Sequence, residues 1–145
     1  MPEPIPVADI LTDLDGQWNA SNVVEPTFIE HTGSTNDPAR FNLTIADFVI
    51  GRPGSPALAE TPIGNWKYVR REYNVELELY TRHGRQRLYD LMAEVRRVCH
   101  ARRHSFTNYQ RLQFMSFTEE IDEQANVWQG NIGIQFINEG ILAET

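Results

Sequence analysis

Hydrophobic residues recur along this chain at two periods, and the switches between them divide it into helices and strands. Val7, Ile10, Leu11, Leu14 and Trp18 fall at helical spacing with Asp9, Asp13 and Asp15 off the stripe, which predicts a first helix over 7–18. Pro6 suits its first turn, and Gly16 and Asn19 favour an end nearby. A longer stripe of Leu88, Leu91, Met92, Val95, Val98 and Cys99 predicts a second helix over about 83–102, with arginines on its other face.

The remaining segments alternate with period two. Over 22–31, Val24, Pro26, Phe28 and Glu30 alternate with Val23, Glu25, Thr27 and Ile29, and the internal proline points to an edge strand. Phe41, Leu43 and Ile45 alternate with Asn42, Thr44 and Ala46 and lead into Phe48-Val49-Ile50, predicting a strand at about 40–50. From Trp66 to Thr81, Tyr73, Val75, Leu77 and Leu79 point one way and Glu72, Asn74, Glu76 and Glu78 the other. That length predicts a strand whose start projects beyond the sheet. Strands at 110–118 and 127–137 follow, joined by the acidic 119–124, a polar hairpin tip or a strand extension. Residues 51–65, rich in proline and glycine, read as a long extended loop that contacts a partner. The element order predicts one α+β domain over 1–145: a mixed or antiparallel sheet with two helices packed on one face.

Charge changes this picture by its placement. The net charge of −7 opposes general nucleic-acid binding. Yet residues 82–111 hold eight of the thirteen basic residues against only Asp90 and Glu94. A basic element on an acidic body can attract another copy of itself; a merely solvated helix face is the plainer reading. The single cysteine, Cys99, excludes an intramolecular disulfide and reads as a small apolar side chain facing the core. No apolar run approaches the roughly 20 residues of a membrane-spanning helix, and the first residues lack a secretory pattern.

Candidate chemistry is sparse. His100 and His104 are four apart, a metal-compatible spacing, but no zincin glutamate lies between them. Glu119, Glu120, Asp122 and Glu123 read as a solvated turn rather than a catalytic carboxylate pair. Trp66, Tyr68 and Tyr73, interleaved with Lys67, Arg70 and Arg71, would suit base stacking, although a half-exposed strand has the same composition. Phosphate loops, nucleophile elbows and dinucleotide fingerprints are missing, so neither an enzyme nor a cofactor is expected.

The long strand 68–80, the amphipathic helix 85–100 and the terminal hairpin together resemble the tail terminator (tail completion) proteins of long-tailed, siphovirus-like viruses. The resemblance lies in the order of elements over most of the chain, with no diagnostic motif. It implies a structural virion protein at the tail–neck junction, assembled in the host cytoplasm. Such a protein forms a homo-hexameric ring that caps the tail-tube protein, ends polymerisation and meets the head connector or neck protein. Genomic DNA would pass through an acidic channel without specific binding. On this reading Arg70, Arg71, Arg85, Arg96, Arg97, Glu76 and Glu78 lie at subunit interfaces, and Arg52, Pro53, Ile63, Glu119 and Glu120 at contacts between rings. The alternatives are another head–tail connector or neck protein, or a small nucleic-acid-binding regulatory module driven by the arginine helix.

Overall fold

The structure is a computed structural model that describes residues 3–31, 46–65, 67–122 and 126–142. It is a five-stranded mixed sheet with two helices, in the order α1 (Pro6–Gln17), β1 (Thr27–Glu30), β2 (Phe48–Ile63), β3 (Tyr68–Thr81), α2 (Arg85–Ala101), β4 (Arg111–Asp122) and β5 (Val127–Leu142). The strands lie in the order β1-β2-β3-β5-β4. Among the described strands only the β1–β2 pair is parallel. The predicted α+β class is therefore the observed one.

Both helices bury the stripes their spacing predicts. Val7, Ile10, Leu11 and Leu14 of α1, and Leu88, Leu91, Met92, Val95, Val98 and Cys99 of α2, are buried. They meet Tyr73, Val75, Leu77, Leu79, Ile132, Ile134 and Phe136 on one face of the sheet, in a single main core. The opposite face carries a second, smaller cluster of Phe48, Ile50 and Tyr80. Gly51 lets α1 settle onto β2, because a side chain there would press on Val7 and Leu11.

Several expectations need correction. The loop foreseen at 51–65 is strand: β2 runs to Ile63 and pairs with β3 from Phe48↔Tyr80 to Ile63↔Tyr68. Its prolines are tolerated because extended backbone accepts their fixed φ, and missing amides cost least on a strand with an open side. Residues 54–57 are accommodated as an irregularity in the register after Pro53. The strand foreseen at 22–31 is only Thr27–Glu30, though it does lie at an edge. The strand foreseen at 40–50 begins at Phe48; residues 40–45, the loop 32–38 and Trp66 lie outside the described residues. Of the two readings of the acidic stretch after 118, the strand extension holds, since β4 runs to Asp122, whereas β5 runs past the foreseen 137 to Leu142.

The long strand does not project alone. Beyond β4, which starts opposite Ile137, and beyond β1, which covers only Phe48–Gly51, the ends of β2, β3 and β5 continue together. About five residues per strand make an extension roughly 17 Å long. Two irregularities share one row of the sheet, in which Pro53 pairs with Val75, Val75 with Ile134, and Ile134 with Phe114. On the extension side of that row β2 inserts 54–57, and on its other side β4 inserts Met115.

Candidate functional site

The surfaces that matter are those the fold leaves uncovered, and the arginine helix is the first to examine. Most of its charge is already spent inside the molecule. Arg85 Nε lies 2.7 Å from Glu119 Oε1, and Arg87 Nη1 lies 3.1 Å from the buried Asp47. Arg102 grips Asp13 of α1 at 3.0 Å. Arg97 donates to both oxygens of Glu94, at 2.6 and 2.8 Å, and to the Gln17 carbonyl at 2.8 Å. These pairs fasten α2 to α1, to β4 and to the start of β2. Their job is internal cohesion.

Glu94 is the residue that sequence reading undervalued. Its side chain is 5% exposed, although it sits on a helix face that otherwise looked solvated. It accepts the Asn19 amide at 2.6 Å and the neighbouring Ala20 amide as well, so it anchors the chain just after α1. The Arg97 guanidinium and these amides hold its carboxyl below the ordinary range. Asp47, 2% exposed beside Arg87, is a second buried acid; its Oδ1 has no hydrogen-bond donor among the described residues.

The other proposed interface residues lie apart from one another. Arg70 pairs with Glu72 at 2.9 Å and Glu139 at 3.5 Å, and Arg71 pairs with Glu60 at 2.7 Å, all on the extension. Arg52 bridges Glu76 at 2.9 Å and Glu78 at 3.0 Å on the sheet face away from the helices. Glu78 is buried there and accepts the Tyr80 hydroxyl; burial, then that contact, pushes the phenol far above its usual range. Glu119 accepts from Arg85 and, at 2.9 Å, from the Tyr89 hydroxyl, and Arg85 foremost holds its carboxyl low. Glu120 stands opposite Gln129, and Pro53 marks the β2 irregularity. Arg96, by contrast, is exposed and makes no ion pair among the described residues.

Ile63 stands where apolar surface is left open. It pairs across the strands with Tyr68, and Tyr68 with Leu142, so one row at the end of the extension presents side chains that are 42%, 41% and 61% exposed. In the sequence Tyr68 stood out only as a base-stacking candidate and Leu142 not at all; only the register brings them beside Ile63. The aromatic set imagined for base stacking does not assemble. Tyr73 is buried against Tyr109, whereas Tyr68 lies on the opposite face of the same strand.

The concavities are shallow and internally bonded. A cleft of about 350 Å³ between α1 and the segment after α2 is crossed by Asp13–Arg102 and by a 2.8 Å bond from the Tyr109 hydroxyl to Asp9. Among the described residues no three His, Cys, Asp or Glu side chains stand close enough to hold a metal ion, and no helix is long and apolar enough to cross a membrane. Compared with known proteins, the chain matches no family model and no curated sequence.

Proposed function

We propose that this chain is a structural subunit that assembles with copies of itself into a ring, as a tail terminator of a long-tailed virus does. The observation that carries the reading is the apolar row Ile63, Tyr68 and Leu142, held at the tip of an extension that no other strand or helix flanks among the described residues. A lone domain gains nothing from apolar side chains held out in water on an ordered strand end; a neighbouring ring would cover them. The element order, which resembles that family, supplies the specific role of capping the tail tube and meeting the neck.

The regulatory-module alternative loses ground. It needs a free basic surface, and Arg85, Arg87, Arg97 and Arg102 are neutralised in place. The test is native mass with negative-stain imaging across protein and salt concentrations, with tail tubes and duplex DNA as added partners. A closed ring, about 100 kDa for six copies, that binds tail tubes supports the reading. A monomer that ignores tail tubes but binds DNA with a steep salt dependence refutes it. A ring that binds connectors and not tubes would make it a neck protein instead.

A further inference from the structure

We propose that two copies of the chain pair edge to edge through β4, antiparallel about a two-fold axis at Thr118. The inference goes beyond the ring reading and does not rest on it. A two-fold joint closes on itself after two copies, whatever the tip of the extension meets.

β4 is the last strand of the sheet, twelve residues long and without proline or lysine, two of the devices that keep such an edge from pairing. Its first outward group is already used, because the Leu112 amide donates to the Arg103 carbonyl at 2.8 Å. Strand alternation from Leu112, with Met115 inserted, turns the amides and carbonyls of Phe114, Phe117, Glu119 and Ile121 outward, and those of Ser116, Thr118 and Glu120 toward β5. Among the described residues no strand pairs with the outer side from Phe114 to Asp122. Thr118 is the midpoint of that stretch. A second β4 laid antiparallel about Thr118 faces Phe117 of one copy to Glu119 of the other, with a reciprocal pair of ladder bonds on each side of the axis.

The flank of this edge is polarised along its length, which selects a second copy as the occupant. His100 packs edge-on against Phe114, and Tyr89 against Phe117, so α2 runs antiparallel to β4 with its last turn beside the start of the strand. Arg96 shares that stripe, four residues before His100 and seven after Tyr89. Arg96, His100 and Arg103 are exposed there, and neither arginine has a carboxylate partner among the described residues; Arg103 bonds the His100 carbonyl at 2.7 Å. The end of the strand is acidic in sequence, Glu119-Glu120-Ile121-Asp122. Glu119 is held by Arg85 of its own copy, whereas Glu120 is exposed with no ion pair among the described residues.

An antiparallel partner therefore sets each acidic end alongside the basic flank of the other copy, and the axis repeats the match. The two basic clusters stay apart, one on each side of the axis. Tyr89 and Met115, exposed by 38% and 55%, lie along the same edge and lose water to the partner. α2 packs against β3 and β5 as well as β4, so it is set back from the edge and leaves room for the helix of the other copy.

The test is a crosslink at the axis. Thr118→Cys sets one thiol from each copy face to face in a non-hydrogen-bonded pair, whose Cα atoms stand roughly 4.5 Å apart, within disulfide range. The native thiol, Cys99, is buried. Gln113→Cys, on the same strand but clear of the axis, is the control. Under mild oxidation the full chain with Thr118→Cys is expected to link into dimers at least ten-fold faster than with Gln113→Cys, read on non-reducing gels and by native mass. In sedimentation, Arg96→Glu/Arg103→Glu and Glu120→Lys each pair at least ten-fold more weakly than wild type. Their mixture recovers, because the mixed pair meets opposite charges at both ends. Circular dichroism and urea midpoints establish that each variant is folded. Equal linking at the two positions overturns the joint, as do charge variants that pair like wild type or a mixture that fails to recover. Pairs that link at Thr118→Cys but never form rings, alone or on tail tubes, sink the ring reading and leave the joint standing. Rings without that link do the reverse.

Discussion

Replacing Glu94 by alanine removes the acceptor that ties the chain after α1 to the middle of α2. Three losses combine. Arg97 is 48% exposed, so it re-enters water and its pairing is worth only about 0.5 kcal/mol. The Asn19 and Ala20 amides lose a charged acceptor, at about 1 kcal/mol each. Deleting the buried methylenes adds about 1 kcal/mol. The sum, about 3.5 kcal/mol, corresponds to a fall in Tm of roughly 7–14 °C for a chain of this size. Arg97→Gln, which keeps the anchor, should cost under about 1 kcal/mol.

Acidity provides an independent check on the same residue. Because its folded pKa is depressed, the Glu94 contribution is fully present above the ordinary carboxylate pKa and is lost as pH falls through the lower folded value. Glu94→Gln should therefore flatten the acid limb of the stability profile and leave the neutral-to-alkaline limb parallel to wild type. Urea denaturation followed by circular dichroism from pH 7 down to pH 3 measures both effects. An alanine variant within 1 kcal/mol of wild type, or an Arg97→Gln variant equally damaged, would refute the anchoring role.

Gly130→Ala should destabilise by about 2 kcal/mol, because a methyl group there meets the Phe117 ring and lies against Leu88; adding Phe117→Leu should recover part of it in thermal melts. Cys99, whose thiol burial pushes up to about 12, should resist thiol reagents at pH 8 until the protein unfolds, so labelling at a rate independent of denaturant would contradict its placement. Arg102→Gln should cost roughly 1–2 kcal/mol, with weak dependence on salt, since the guanidinium grips a carboxylate only 11% exposed.

The periodic elements were legible because their signal is local. Leu88 through Cys99 announce a buried helix face, and Tyr73 through Leu79 a half-buried strand, without reference to anything distant. β2 was misread for the same reason. Pro53, Gly54, Pro56 and Pro62 argue for a loop when taken alone, and only the twelve partners supplied by β3, with no second strand beside them past Gly51 among the described residues, make extended pairing favourable. The arginines show the limit most sharply. Composition gave their number, but the partners of Arg85, Arg87 and Arg102 lie 34, 40 and 89 residues away, beyond any window. Of the residues named for interfaces, Arg96 alone keeps an exposed charge without an ion pair among the basic residues described, while Arg85 and Arg97 serve the monomer's own cohesion.

The irregularities after Pro53 and Phe114 flank one transverse row, so together they weaken the sheet across it. Each inserted segment loosens its strand beside that row, and a third shift, between Val69 and Arg71, interrupts the β3–β5 ladder within the extension. Compliance is thereby gathered toward the half of the sheet that ends in the three-stranded tip. The tip becomes a lever arm. Identical chains can then tilt it by different amounts, conforming to unlike neighbours without disturbing the packed core beneath α1 and α2.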